Sequence, residues 1–276
     1  MILTAENYYS QEANREYMSV SQYKAFCGTY GRQACEERAV AELNGEWEQE
    51  KTPSLLVGSY VDSYFEGSLD KFKEENLELF TKASMKKYPD NPEKWELLQT
   101  YKKAEEIIER IERDPLFMRY ISGEKQVIMT GKIGGAKWKI KIDSLVRDIC
   151  ITDLKVMKSL RDVFRSHDAV NMGFVEYWGY DVQGAVYQEI VRQNTGKVLP
   201  FYIAAASKEK ETDIEIIHID NDHLRNCLSE VESNVAKIQA LKDGVFQPIR
   251  CESCDYCKHT KILTAPISYV DLIPGA

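Results

Sequence analysis

Residues 138–155, WKIKIDSLVRDICITDLK, alternate apolar and polar side chains on both sides of a short break. Alternation of period two marks a half-buried strand. Trp138, Ile140 and Ile142 share one parity, and Lys139, Lys141 and Asp143 the other. In the second run Ile149, Ile151, Asp153 and Lys155 go together, opposite Cys150, Thr152 and Leu154. The stretch from Lys137 to Lys155 therefore predicts two antiparallel strands around a turn near Val146–Asp148. Asp153 and Lys155 are two apart and leave the same face. Pairing brings Asp143 toward them. Two carboxylates and a lysine on rigid strands suit a hard divalent cation and the water it activates.

The flanking sequence supplies the rest of an α/β fold. Residues 1–17 read as a polar lead-in. Ser19 or Ser21 opens a helix over 21–44, which Gly28 and Gly31 divide. Residues 53–66, PSLLVGSYVDSYFE, carry a helical apolar pattern with one aspartate, Asp62, four positions after Gly58. Residues 69–87 are charged and peripheral. Helices are expected over 92–114 and 116–122, ended and opened by Asp114-Pro115. Strands follow at 124–130, 136–143 and 149–155, with a turn over 131–135. A long helix covers 170–194, a continuous apolar strand 199–205, an alternating strand 213–219, and a last helix 224–242. Helices covering a mixed central sheet are the expected architecture. The chain reads as a single domain over 1–276. Its parts are a mainly helical 1–115, an α/β core at 116–245, and a cysteine-bearing tail at 246–276 that packs on the N-terminal part.

Composition narrows the class. The 276 residues are 43% hydrophobic and 29% charged, enough for a globular core. No run of 18 apolar residues is present, and the N-terminus lacks the pattern of a signal peptide, so a cytoplasmic protein without a membrane span is expected. A net charge of −8 argues against a broadly polyanion-binding surface but leaves room for a local basic rim around an acidic centre.

Several further groups carry candidate chemistry. The backbone carbonyl of Leu154 is a natural oxygen ligand beside Asp143 and Asp153. Gln183 and Tyr187 are four apart on a helix and share a face. Lys158, Arg161 and Arg165 follow the Asp153 strand and are candidate phosphate contacts, with Arg192 and Lys208 as further cations. Cys251, Cys254 and Cys257 supply three thiolates at metal-ligand spacing. His259, Cys35 or Cys27 could complete the set, around zinc or an iron–sulfur cluster.

Gly58-Ser-Tyr-Val-Asp62, Asp143, Asp153-Leu-Lys155 and Gln183-Gly-Ala-Val-Tyr187, in that order, resemble the PD-(D/E)xK nuclease superfamily. The branch is that of RecB nuclease domains, λ exonuclease and RecE (exonuclease VIII). Residues 18–260, with SVSQYKAF, GSYVDSYFEG and CDYCKHTK, are most similar to phage and prophage RecE-like exonucleases.

The resemblance implies roles. Asp143 and Asp153 would bind catalytic Mg²⁺ or Mn²⁺, Lys155 would serve the attacking water, and Gln183 and Tyr187 would support the site and the DNA end. Asp62 stands where RecB-type nucleases often carry a metal-binding histidine, and a carboxylate serves magnesium as well; Glu66 and Glu124 are fallback acids. Some RecB-like nucleases close a four-iron cluster with one early cysteine and three late ones. Cys35, Cys251, Cys254 and Cys257 match that order, with a tighter tail spacing, so a structural iron–sulfur site is expected, zinc being the alternative. The implied activity is 5′ to 3′ degradation of duplex DNA ends for strand-annealing recombination. A homo-oligomer, a RecT-like annealing partner and the host cytoplasm of a phage gene would go with it. An endonuclease or single-strand nuclease of the same fold, or a non-catalytic binding module with a structural metal cluster, are the alternatives.

Overall fold

Local capping signals set the first helices. Ser10 caps α1 (Gln11–Glu16), accepting the Ala13 N–H at 3.1 Å. Ser19 caps α2 (Val20–Cys27) through the Gln22 N–H at 3.3 Å. α3 (Glu36–Asn44) begins at Cys35. Thr52 caps α4 (Pro53–Glu66), whose Pro53 sits in the first turn, where no N–H is needed. The computed structural model describes residues 1–48, 50–165 and 170–272. Its peripheral helices are α5 (Leu69–Glu75) and α6 (Lys82–Lys87). α7 (Gln99–Glu112) buries Tyr101, Ala104, Ile107, Ile108 and Ile111, one stripe at helical spacing, and α8 (Pro115–Tyr120) follows.

The strands then build the centre. β1 (Val127–Ile133) and β2 (Ala136–Ile142) form a hairpin in register from Val127↔Ile142 to Ile133↔Ala136. β3 (Ser144–Val146) pairs antiparallel with β4 (Cys150–Met157) across a turn in which Asp148 takes φ 63°. A two-residue pair, β5 (Phe164–Arg165) and β6 (Asn171–Met172), leads to α9 (Phe174–Tyr177) and α10 (Tyr180–Thr195). β7 (Phe201–Ser207) and β8 (Ile214–Ile219) follow, then α11 (Asn221–Lys242) and the short α12 (Asp255–His259). The main sheet runs β3-β4-β7-β8. β4 and β7 are parallel, joined by the α10 crossover, and the outer pairs are antiparallel.

Period-two burial divides the core. On β7, Phe201, Ile203 and Ala205 face one apolar cluster with α2, α10 and α11, while Ala204 and Ala206 face another with α4 and α7. Ile151 and Ile203 are fully buried, each contributing about 1.5–3 kcal/mol of apolar burial. Gly184 allows α10 to cross β7 closely: a Cβ there would lie 2.7 Å from the Phe201 ring.

Four expectations are corrected. β2 pairs along its length with β1, not β4; only the short β3 continues the expected hairpin, because the chain bends at Asp143. The helix over 170–194 is divided, since Gly179 at φ 63° ends α9 and restarts the chain as α10. The helix over 92–114 starts only at Gln99, after a 3₁₀ turn at Pro92–Lys94. The polar lead-in contains α1, and the following Met18 bonds to the outer edge of β2 through Lys137 C=O (2.8 Å) and Lys139 N–H (2.9 Å).

Candidate active site

The site begins as a gap in the hydrogen-bond ladder. The Ile151 N–H donates toward the β7 side, to Pro200 C=O at 3.0 Å. By alternation Asp153 and Lys155 do likewise, and the backbone of Thr152 and Leu154 faces the β3 side. β3 covers Thr152, opposite Ser144, and its pairing ends there. Leu154 is left without a strand partner on that edge. Asp143, at the bend between β2 and β3, fills the gap: its Oδ2 accepts the Leu154 N–H at 3.1 Å. The Leu154 carbonyl faces the same wedge, with Lys155 Nζ 3.3 Å away.

Side chains converge on the wedge from three elements. Asp153 is 2% exposed. Its Oδ1 accepts Gln183 Nε2 of α10 at 2.6 Å, and its Oδ2 forms a close ion pair with Lys155 without an aligned hydrogen bond. α4 packs on the opposite face of β4 against Leu154, and its Asp62 reaches the same cleft. Asp62 Oδ1 and Asp153 Oδ2 are buried and receive no hydrogen bond.

The electrostatics record this crowding. Burial pushes the Asp62 carboxyl up to about 7, with Asp153 and Glu66 adding repulsion against the pull of Lys155. Burial and Asp153 raise Asp143 well above the usual carboxylate range. Burial works against the charge on Lys155, but Asp153 and Asp143 outweigh it and hold the ammonium above its ordinary value. One buried and two half-buried carboxylates thus face one half-buried ammonium, and with all three acids ionised the group is short by the charge of one divalent ion. Orphaned buried oxygens are costly, and hard oxygen donors are what magnesium and manganese take. Asp62, Asp143, Asp153 and the Leu154 carbonyl therefore fit a divalent cation.

The cleft measures 480 Å³. Tyr187, one turn after Gln183, does not touch the acids; its hydroxyl donates to Lys141 C=O at 3.0 Å and ties α10 to β2. Burial raises that hydroxyl well above its ordinary value. Further residues here were not singled out from the sequence. Lys139 is 1% exposed and reaches Asn14 Oδ1 at 2.7 Å and the Tyr8 carbonyl; burial lowers it to about 8. Lys24 donates to Trp178 C=O at 3.1 Å, and burial together with Lys155 lowers it to about 8. The signal for Lys139 was its parity with Asp143. Nothing local marked Tyr8 or Lys24.

The remaining candidates are scattered. Lys158 and Arg165 are exposed. Arg161 is occupied by ion pairs to Asp213 (3.6 Å) and Glu215. Arg192 pairs with Glu189 at 2.7 Å, and Lys208 bonds Ser54. Glu66 lines the cleft and accepts Gln126, whereas Glu124 is exposed and pairs with Arg147.

The structure brings Cys35, Cys251, Cys254 and Cys257 together, with all four sulfurs within 4.8 Å of one another and no disulfide. Cys35 Sγ lies 3.6 Å from Cys257 Sγ, which lies 3.9 Å from Cys251 Sγ. Burial acts to raise Cys251, but hydrogen bonds from Ser253 and Cys254 bring it down to about 6. Burial, Cys35 and Cys254 push Cys257 up to about 12. His259 instead packs at a tilt against Trp47, ring centres 5.4 Å apart, and Cys27 is exposed and outside the group. Glu36 accepts the Ile249 N–H at 2.9 Å and Arg250 pairs with Glu37 at 2.8 Å, fastening the tail to α3.

Comparison with known proteins agrees with this geometry. A solved structure from Eubacterium rectale, named a presumptive exonuclease, shares 56% identity over 100% of both chains with a TM-score of 0.93. The structure of SSO0001 matches at 11% identity over 74% of this chain and 85% of that one, with a TM-score of 0.30, and carries no weight here. No curated protein matches. The model of a PDDEXK-like domain of unknown function, DUF3799, matches residues 19–260. With most of its length and its acid–acid–lysine wedge inside that match, the chain belongs to the PDDEXK-like family DUF3799.

Proposed function

We propose that this chain is a divalent-metal-dependent deoxyribonuclease that degrades linear duplex DNA from its ends. The observation that carries the reading is the wedge at Leu154: three converging carboxylates, two of them with buried orphaned oxygens, against one charged lysine. The 56% identical relative named a presumptive exonuclease supports action at ends. Asp62, Asp143, Asp153 and the Leu154 carbonyl would hold Mg²⁺ or Mn²⁺, which supplies Lewis-acid charge at the scissile phosphate and a more acidic water.

The protein's own groups do the positioning. Gln183 holds Asp153 Oδ1, leaving Oδ2 toward the cleft. The Leu154 N–H fixes Asp143. Lys155, which Asp153 and Asp143 hold as a cation before an ion binds, is placed to donate to the phosphate or to orient the nucleophilic water and stabilise developing negative charge. Lys24, Lys139 and Lys141 line the cleft wall, giving local positive charge to a chain of net charge −8. Exposed Lys158 and Arg165 are further candidate phosphate contacts. The 5′ to 3′ direction, a homo-oligomer, a RecT-like annealing partner and a role in phage-type recombination in the cytoplasm belong to the same proposal, supported by the family resemblance.

For the four cysteines we favour a structural zinc ion. A tetrathiolate with bonds of about 2.3 Å sets its sulfurs roughly 3.8 Å apart, close to the observed 3.6 and 3.9 Å. A four-iron cube places iron and sulfide between its thiolates and needs them further apart. Absorbance near 400 nm in anaerobically purified protein would reverse this preference.

An end-labelled linear duplex with Mg²⁺, compared with a covalently closed circle, tests the function. Loss of 5′ label first, with the circle intact, is expected. Cleavage of the circle would make the chain an endonuclease. No cleavage with either metal, or full activity in both Asp153→Asn and Lys155→Ala, would sink the reading.

A further inference from the structure

α10 and α11 carry a cluster that the cleft does not use. His223 Nε2 lies 3.0 Å from Asp181 Oδ2, and Cys227 Sγ lies 3.6 Å from the same oxygen. One ligand atom from each residue falls within 4.8 Å of the other two. His223 and Cys227 are four apart on α11 and share a face. Asp181 comes from the first turn of α10. Its Oδ1 is taken by the Val182 N–H at 2.8 Å, leaving Oδ2 as the common vertex. Asp181 and Cys227 are buried, and the His223 side chain is 44% exposed.

We propose that Asp181, His223 and Cys227 form a second metal site, for zinc or a similar borderline transition ion, with its fourth position open to water beside His223.

The donor set selects the ion. Thiolate and imidazole suit zinc and cobalt and are poor partners for magnesium. Bonds of about 2.0 Å to oxygen or nitrogen and about 2.3 Å to sulfur put tetrahedral ligand atoms roughly 3.3–3.6 Å apart, close to the observed separations. Three protein ligands and one solvent position is an ordinary zinc arrangement. A cysteine-nucleophile reading fails on geometry. The thiol is buried and hydrogen-bonds the carboxylate rather than the imidazole, so it has no open path to a substrate and no Cys–His pair to activate it. Without a metal, Cys227 is only a weak donor to an acid. A metal ion would displace the thiol proton and satisfy all three groups at one centre. The site has a structural consequence too. Asp181 precedes Gln183 by two residues, so an ion here pins to α11 the turn of α10 that holds Asp153.

Cobalt(II) loaded into the full-length chain tests the site. The four-cysteine cluster offers four thiolates, the proposed site one more, and the acid cleft none. His223→Gln and Cys227→Ser should each lower bound cobalt by one equivalent per chain. Cys227→Ser should also cut the thiolate-to-cobalt charge-transfer absorbance by about a fifth. His223 is half exposed, so its replacement leaves the helix pair folded, and an unchanged far-UV circular dichroism spectrum checks this. Wild-type cobalt content and absorbance in both variants would mean a hydrogen-bonded trio alone and overturn the proposal.

Discussion

The acid wedge and the thiol cluster both gather residues distant in the chain, and they are held by opposite means. Asp143, Asp153 and Lys155 sit beside Ile142, Ile151 and Ile203, all fully buried, and Asp62 rides on α4 next to the buried Tyr60 and Val61. Apolar packing therefore sets the wedge whether or not an ion is bound. The tail is different. From 245 to 260 only Cys257 is buried, and polar bonds to Glu36 and Glu37 do the fastening. Its order depends on whatever joins the four sulfurs. The wedge concentrates unfavourable electrostatics that the core can carry, whereas the cluster is an anchor where the core is thin.

If that contrast is right, the two regions fail differently. The largest effect belongs to the wedge. Asp153→Asn and Lys155→Ala should each reduce cleavage by about 10³-fold or more, with a melting temperature within a few degrees of wild type. A large loss of stability in both would show that the wedge is structural instead. Next comes Gln183→Ala, which frees Asp153 Oδ1 without removing a carboxylate; cleavage should fall about 10–100-fold, and Gln183→Glu should not restore it, since it accepts where donation is needed.

The cluster should fail the other way round. Cys257→Ser should cost about 3 kcal/mol, a fall in Tm of roughly 6–12 °C, and open the tail to limited proteolysis. The activity of the remaining folded fraction should stay within a few-fold. If activity falls as far as in Lys155→Ala while Tm holds, the contrast breaks.

The smallest effect is a pH dependence. In metal-free protein Asp62 titrates at about 7, above its ordinary 3.8, and Asp143 shifts in the same direction. The folded state then binds more protons than the unfolded one between those values. Stability should fall as pH rises from about 4 through 7, by a modest amount because the acids are coupled. Thermal melts in chelator should show the fall, Asp62→Asn should lessen it, and added Mg²⁺ should oppose it.

Period and spacing made much of this legible. The parity of Asp153 and Lys155, the pairing of Gln183 with the strand acid, and the continuous apolar run of β7 all follow from local pattern. The bend at Asp143 does not. Residues 136–143 read as one strand pairing with 149–155, and only the competition between β1 and β4 for partners decides where the chain bends. Lys139 was equally hidden: a lysine on a strand's polar face ordinarily meets water, but here the N-terminal segment with Tyr8 and Asn14 covers it. The ion pairs of Arg161 were hidden for the converse reason, since its acidic partners lie more than 50 residues downstream. The triad on α10 and α11 left no trace, because Asp181 and Cys227 are 46 residues apart and neither belongs to a motif.

The sulfur contact between Cys35 and Cys257 spans 222 residues. During synthesis at roughly 5–20 residues per second, Cys35 is made about 10–45 s before Cys257. The acids of the wedge, Lys155 and Gln183 all lie between them. The cluster can therefore close only after the whole core has been made, and its closure is the last knot tied. A full-length chain whose core has misfolded keeps a loose tail and four thiols that never meet.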